Sequence, residues 1–143
     1  MPDKYFHSTE VEMRKSFFII ALATALMLIA GCGRSNRGEQ AARTAKLYYD
    51  ALLEGKYEEF VDGIYHRDSI RQQYRRELID NARMFVGQQQ EEHRGIREVR
   101  VSDFKIDSVS SDCSVFLVFA YGDSTSEEVL VPMTEKDGIW LMK

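Results

Sequence analysis

The chain has 143 residues, of which 44% are hydrophobic and 29% charged, with a formal net charge of −4. That length suits one domain with a core of its own. The mild acidity argues against nucleic acid as a partner and against general attraction to an anionic membrane surface.

In chain order, the first feature is an apolar run. Arg14-Lys15 supplies a basic flank, and Ser16 to Ala30 follows without a charge. The run fits the apolar region of a secretory signal, about 7–15 residues, and falls short of the ~20 that span a bilayer. It ends in Leu28-Ile29-Ala30-Gly31-Cys32, which resembles a bacterial lipobox. The resemblance implies that residues 1–31 are a signal peptide and that the Cys32 thiol carries lipid. It also implies a place in the cell envelope, on the outer membrane facing the periplasm. More than one acyl chain on Cys32 gives stable attachment, where a single chain holds only reversibly. Residues 1–12 precede Met13, which stands just before the basic pair and reads as an alternative start. Loss of residues 1–31 removes three basic and three acidic side chains, so the balance stays at −4. Cys113 is then the lone remaining thiol, which excludes an intrachain disulfide and a cysteine metal site. Its apolar surroundings predict a buried structural thiol. Gly33 to Gly38 is polar and lacks an apolar period. It predicts a flexible tether, so that 32–39 joins the lipid to a domain over 40–143.

From Glu39 to about His93 the pattern is helical. Ala41, Ala45, Tyr48 and Leu52 share one face at spacings of three and four, and Gly55 is placed to end that helix. Tyr57, Phe60, Val61 and Ile64 form the apolar side of a short second helix. Asp68 reads as the N-cap of a third, with Ile70, Tyr74, Leu78, Ala82 and Phe85 as its stripe. Gly87 weakens its end, and Gln88 to Gln90 predicts a solvated last turn.

From Ile96 the period changes to two. Val99 and Val101 alternate, then Phe104 and Ile106 alternate in the opposite phase, which predicts a bulge near Ser102-Asp103. Cys113, Val115, Leu117, Phe119 and Tyr121 share one face of a strand, and Phe116 and Val118 make its other face apolar too. Such a strand is expected in the middle of a sheet, covered on both faces. Val129, Val131 and Met133 form the next strand, in which Pro132 predicts an edge or a bulge. Asp137-Gly138 is a tight hairpin signal before Ile139-Trp140-Leu141-Met142. Helices first and strands afterwards predict an α+β domain.

The Tyr-rich first helix with Ala51-Leu52-Leu53-Glu54-Gly55-Lys56-Tyr57-Glu58-Glu59-Phe60, and the ending Asp137-Gly138-Ile139-Trp140, resemble the nuclear transport factor 2-like (cystatin-like) superfamily. The likeness covers roughly residues 40–143. It implies three helices packed on a curved antiparallel sheet of about four strands, with a pocket between them. Such domains include ketosteroid isomerase-like and polyketide cyclase-like enzymes and many non-catalytic binding modules, so the fold does not choose a function.

The isomerase-like members use an Asp base and a Tyr-containing oxyanion hole. Tyr48, Tyr49, Tyr65 and Tyr74, with Asp62, Asp103 and Asp107, are the residues here that offer those groups; none stands in an enzyme motif. Core rings for the tyrosines and solvent-facing positions for Asp103 and Asp107 are the alternatives. His66 and Asp68 could pair as a base and its carboxylate, or serve as a surface residue and a cap. His93 reads as a helix-end residue. No phosphate loop, nucleophile elbow or metal-ligand spacing is present, and no cofactor is expected. Arg67, Arg71 and Arg75 fall in one row of the third helix. Arg71 and Arg75 could rim the pocket and, with Tyr48, Tyr74 and Trp140, hold a ligand or partner. Alternatively, their heads meet Glu58, Glu59 or Asp62. The expected function is that of a lipid-anchored, non-catalytic module for a small apolar or amphipathic ligand or an envelope protein. An isomerase- or cyclase-type enzyme is the alternative. Self-association through the sheet face is a further expectation.

Overall fold

The two periodicities of the sequence stay apart in space: three helices come first, then four strands. The computed structural model describes residues 32–143, with side chains from Asn36 onward. The segment expected to be a signal peptide ending in a lipobox lies, up to Gly31, outside the described residues. Residues 37–143 form one compact unit.

Helix α1 (Cys32–Leu53) starts earlier than the sequence suggests. The segment 33–38, predicted as a flexible tether, is helical. It contains no proline, and a helix already nucleated over Ala41–Leu53 extends at little further cost. An ion pair between Arg37 and Glu135 holds its end against the far strand. Ala41, Ala42, Ala45 and Leu52 are the buried face. Small side chains there let the helix lie close to the sheet. Gly55 ends the helix as expected: its N–H donates to Leu52 O at 3.2 Å, and the Lys56 N–H reaches Ala51 O at 2.9 Å.

Helix α2 (Tyr57–Asp62) buries Val61. The chain after it is stitched to the C-terminus. The Tyr65 N–H donates to Met142 O at 2.6 Å, and the Met142 N–H donates to Gly63 O at 2.8 Å. Helix α3 (Gln72–His93) therefore begins late. Asp68 does not cap it; Arg71 holds the N-cap position in an extended conformation without a side-chain bond. The pinned turn at Gly63–Tyr65 fixes where the chain leaves, and the next residues are spent reaching the helix. The buried face of α3 carries Ile79 and Ala82, while Tyr74 is half exposed. The helix runs through Gly87 to His93 and stops at Arg94, whose φ is 60°.

The strands β1 (Ile96–Ile106), β2 (Asp112–Tyr121), β3 (Ser126–Lys136) and β4 (Ile139–Met142) form one antiparallel sheet in sequence order. The expected bulge is present between Val101 and Asp103. It brings Phe104 and Ile106 opposite Val115 and Cys113, on the same face as Val99 opposite Phe119. On β2 the residues Cys113, Val115, Leu117, Phe119 and Tyr121 are all buried. The alternate set is only half buried, so β2 is central but covered fully on one face, not on two. Asp137 and Gly138, at φ 52° and 79°, make the two-residue hairpin between Lys136 and Ile139. Pro132 lies on an interior strand rather than an edge. Its carbonyl accepts from the Lys143 N–H at 2.9 Å. The missing Pro132 N–H points the same way, just past the Met133–Met142 pair where β4 pairing ends.

Candidate functional site

Between the three helices and the sheet, a cavity of about 630 Å³ opens. That volume lies in the range of small-molecule sites. Its floor is apolar: Leu52, Phe60, Ala82, Phe85, Phe119 and Val129 line it. Three of its rings pack together. Tyr49 meets Phe60 edge-on at 5.3 Å and Phe119 at 5.3 Å. Burial pushes the Tyr49 hydroxyl above its ordinary pKa.

Most of the polar groups gather where α3 ends: Gln89, Glu92, His93, Tyr121 and Glu127 line the cavity there, while Asn81 lies further back along the helix. Glu92 and Glu127 are exposed, so this end is the mouth. The Tyr121 hydroxyl donates to Glu127 Oε2 at 2.9 Å. Its pKa is pushed up to about 12, first by burial, then by the bond to Glu127 and the nearby carboxylates of Glu127, Asp123 and Glu92. The His93 ring stacks on Tyr121 at 4.4 Å, and His93 Nδ1 lies 2.9 Å from Asp123 Oδ2. Asp123 is held at a pKa of about 2 by hydrogen bonds from the Thr125 hydroxyl, His93 and the Thr125 N–H. A carboxylate so acidic is an acceptor at neutral pH, so His93 Nδ1 carries the proton of this bond. In the neutral ring, Nε2 is then left as an acceptor.

Local geometry builds this mouth. The β2–β3 turn docks on the end of α3: the Asp123 N–H donates to His93 O at 3.0 Å, and the Gly122 N–H to Gly95 O at 2.8 Å. Only glycine permits the approach at Gly122, where a Cβ would stand 2.4 Å from Arg94 O. Helix-end carbonyls that would otherwise be unpaired are thereby satisfied.

No family model matches the chain, and no curated protein matches it. Among solved structures, a Campylobacter jejuni protein named as an NTF2-like transpeptidase aligns with a TM-score of 0.57 at 12% identity, over 70% of this chain and 94% of that one. The fold is nuclear transport factor 2-like. At that identity the likeness carries fold and nothing of activity. A SEC-C motif containing protein from Rhodopseudomonas palustris aligns with a TM-score of 0.43 at 16% identity, over 66% of this chain and 67% of that one.

Within this NTF2-like fold, Tyr49 is the candidate from the sequence that lines the cavity, and the other residues singled out lie elsewhere. Arg75 is held by Asp62 through two bonds of 2.9 Å, the ion-pair alternative. Arg71 is exposed at the start of α3 and does not line the cavity. The Tyr48 hydroxyl donates to Trp140 O at 2.9 Å, and burial raises its pKa. Trp140 is 4% exposed within the core, with the Arg37 guanidinium over its ring. Tyr74 meets the His66 ring edge-on, away from the cavity. His66 and Asp68 form no dyad: His66 Nε2 is buried without a partner, and Asp68 is exposed. Asp103 and Asp107 are exposed and accept from the Phe104 and Val109 N–H groups. Cys113 is buried, which raises its thiol pKa. Phe119 lines the cavity, whereas Phe116 belongs to the opposite face of β2. Among the described residues no three His, Cys, Asp or Glu side chains converge as a metal site. No helix among them is long and apolar enough to cross a membrane.

His93, Glu127 and Tyr121 escaped the sequence reading as a group. Tyr121 closes the buried stripe of β2, and a hydroxyl-bearing ring at the end of an otherwise apolar stripe was the available signal.

Proposed function

We propose that the chain is a lipid-anchored envelope protein whose NTF2-like domain takes up a small apolar or amphipathic ligand. The anchor rests on the sequence alone, on Leu28–Cys32 after an uncharged apolar run. The binding reading rests on one observation: a cavity of about 630 Å³ with an aromatic and aliphatic floor and hydrogen-bonding groups gathered at its mouth. Apolar surface of that kind gains by being covered, and the polar rim would orient what covers it.

One observation favours an enzyme instead. The His93–Asp123 pair presents a ring nitrogen on the cavity wall, as a general base requires. The binding reading ranks first because Glu92 and Glu127 are both exposed. Acid–base chemistry on an apolar substrate calls for a carboxylate in dry surroundings. Association of two copies through the outer sheet face is proposed as well: Leu130 is 54% exposed there, opposite Phe116. Sedimentation that finds only monomer at high concentration would remove that part.

Protein extracted from its native membrane tests the main reading. Intact mass is expected to report a lipid-modified Cys32 at the amino terminus, and denaturing extraction to release a stoichiometric amphiphile. An unmodified Cys32 would remove the anchor, and an empty extract would remove the ligand.

A further inference from the structure

The charge of the cavity mouth narrows what the cavity accepts. Among the described residues no Lys or Arg lines the cavity, while two carboxylates, Glu92 and Glu127, do. Arg94 and Arg97 stand at Gly122 and do not belong to the lining. Behind His93 lies a third carboxylate, Asp123, at 2.9 Å from Nδ1. The other polar lining groups, the Asn81 and Gln89 amides, carry no charge. Glu127 Oε2 accepts from Tyr121, and Glu92 Oε1 accepts from Gln88 Nε2 at 2.9 Å. Each carboxylate keeps a second oxygen for another donor.

A second, independent feature points the same way. Tyr49, Phe60, Phe85, Phe119 and Tyr121 all line the cavity. Ring faces attract cations and do nothing comparable for anions. An anionic head would face two carboxylates at this mouth, and the amides of Asn81 and Gln89 donate to it without the charge of a lysine or arginine that would offset its lost hydration.

We infer that the cavity selects amphiphiles with a cationic head, a protonated amine or quaternary ammonium on an apolar body, over anionic ones. The head sits between Glu92, Glu127 and the Tyr121 ring, and the tail runs over Leu52 and Phe119. The inference rests on the binding reading above and adds the sign of the ligand's charge.

Three probes of equal length separate the two. The full chain is held in phosphatidylcholine nanodiscs and dialysed at pH 7 against octylamine, 1-octanol and octanoate, with empty discs subtracted. Octylamine is expected to bind at least about tenfold more tightly than octanoate, with octanol between them. Glu92→Gln together with Glu127→Gln is expected to shrink that preference to about twofold, while the chemical-denaturation midpoint stays near the wild-type value and so reports an intact fold. Octanoate binding as well as octylamine, or a preference that survives the double substitution, overturns the inference and leaves the binding reading in place as long as octanol binds. Failure of all three probes overturns both.

Discussion

One face of β2 runs through two different environments. All five buried residues of this face belong to one core cluster with Ala41, Ala42 and Ala45 of α1, but at one end Cys113, Val115 and Leu117 are at most 2% exposed and do not line the cavity. Further along, Phe119 and Tyr121 are nearly as inaccessible to water, yet they line an open cavity. The strand is the same, and its buried side chains pass from small and aliphatic to aromatic. The difference lies in what faces them: an alanine-surfaced helix that sits close, or the space that α3 leaves before it docks on the β2–β3 turn. Low exposure alone therefore does not separate a filled core from a site wall.

The contrast can be broken by substitution. Leu117→Ala in the filled end should leave a hole that its neighbours cannot close, destabilising the chain by about 2–5 kcal/mol in chemical denaturation. A cost well under that range would mean that this end is also loosely packed. Ala45→Leu adds bulk where α1 lies against the sheet and should cost about 1–3 kcal/mol. An unchanged unfolding midpoint would show room there and erase the distinction.

A gentler probe uses acid. The carboxyl of Asp123 is held at a pKa of about 2 in the fold, against about 3.9 in an unfolded chain. A depressed folded value contributes stability above the unfolded pKa, and that contribution is lost as pH falls through about 2. The Gly122 and Asp123 amides should therefore exchange faster between about pH 4 and pH 2, after correction for intrinsic rates. Those of Val115 and Leu117 should not. Asp123→Asn should abolish the difference. Equal protection of both sets across that window would argue that the His93–Asp123 contact does not hold the mouth.

The filled half was legible in the sequence because its causes are local. The period-two stripe of β2, the phase switch at Val101–Asp103, the glycine after Leu53 and the Asp137-Gly138 turn each declare themselves within a few residues. The start of α3 was not legible, because a tertiary constraint overrode Asp68: bonds between Gly63, Tyr65 and Met142 fix the chain first. Nor was the mouth of the cavity. His93 and Asp123 are 30 residues apart and meet only once the hairpin docks on a helix end. Spacing along α3 suggested Arg71 and Arg75 instead, and Asp62, across from α3, takes Arg75.

The space over Phe119 and Tyr121 is proposed as a binding site rather than a packing defect. Ala82 lines it, so Ala82→Leu fills space without crowding a core. The account expects wild-type chain to bind 1-octanol saturably at one site. It expects Ala82→Leu to lose that binding while stability shifts by less than about 1 kcal/mol. Octanol that binds the variant as well as the wild type, or that never saturates on either, would contradict it.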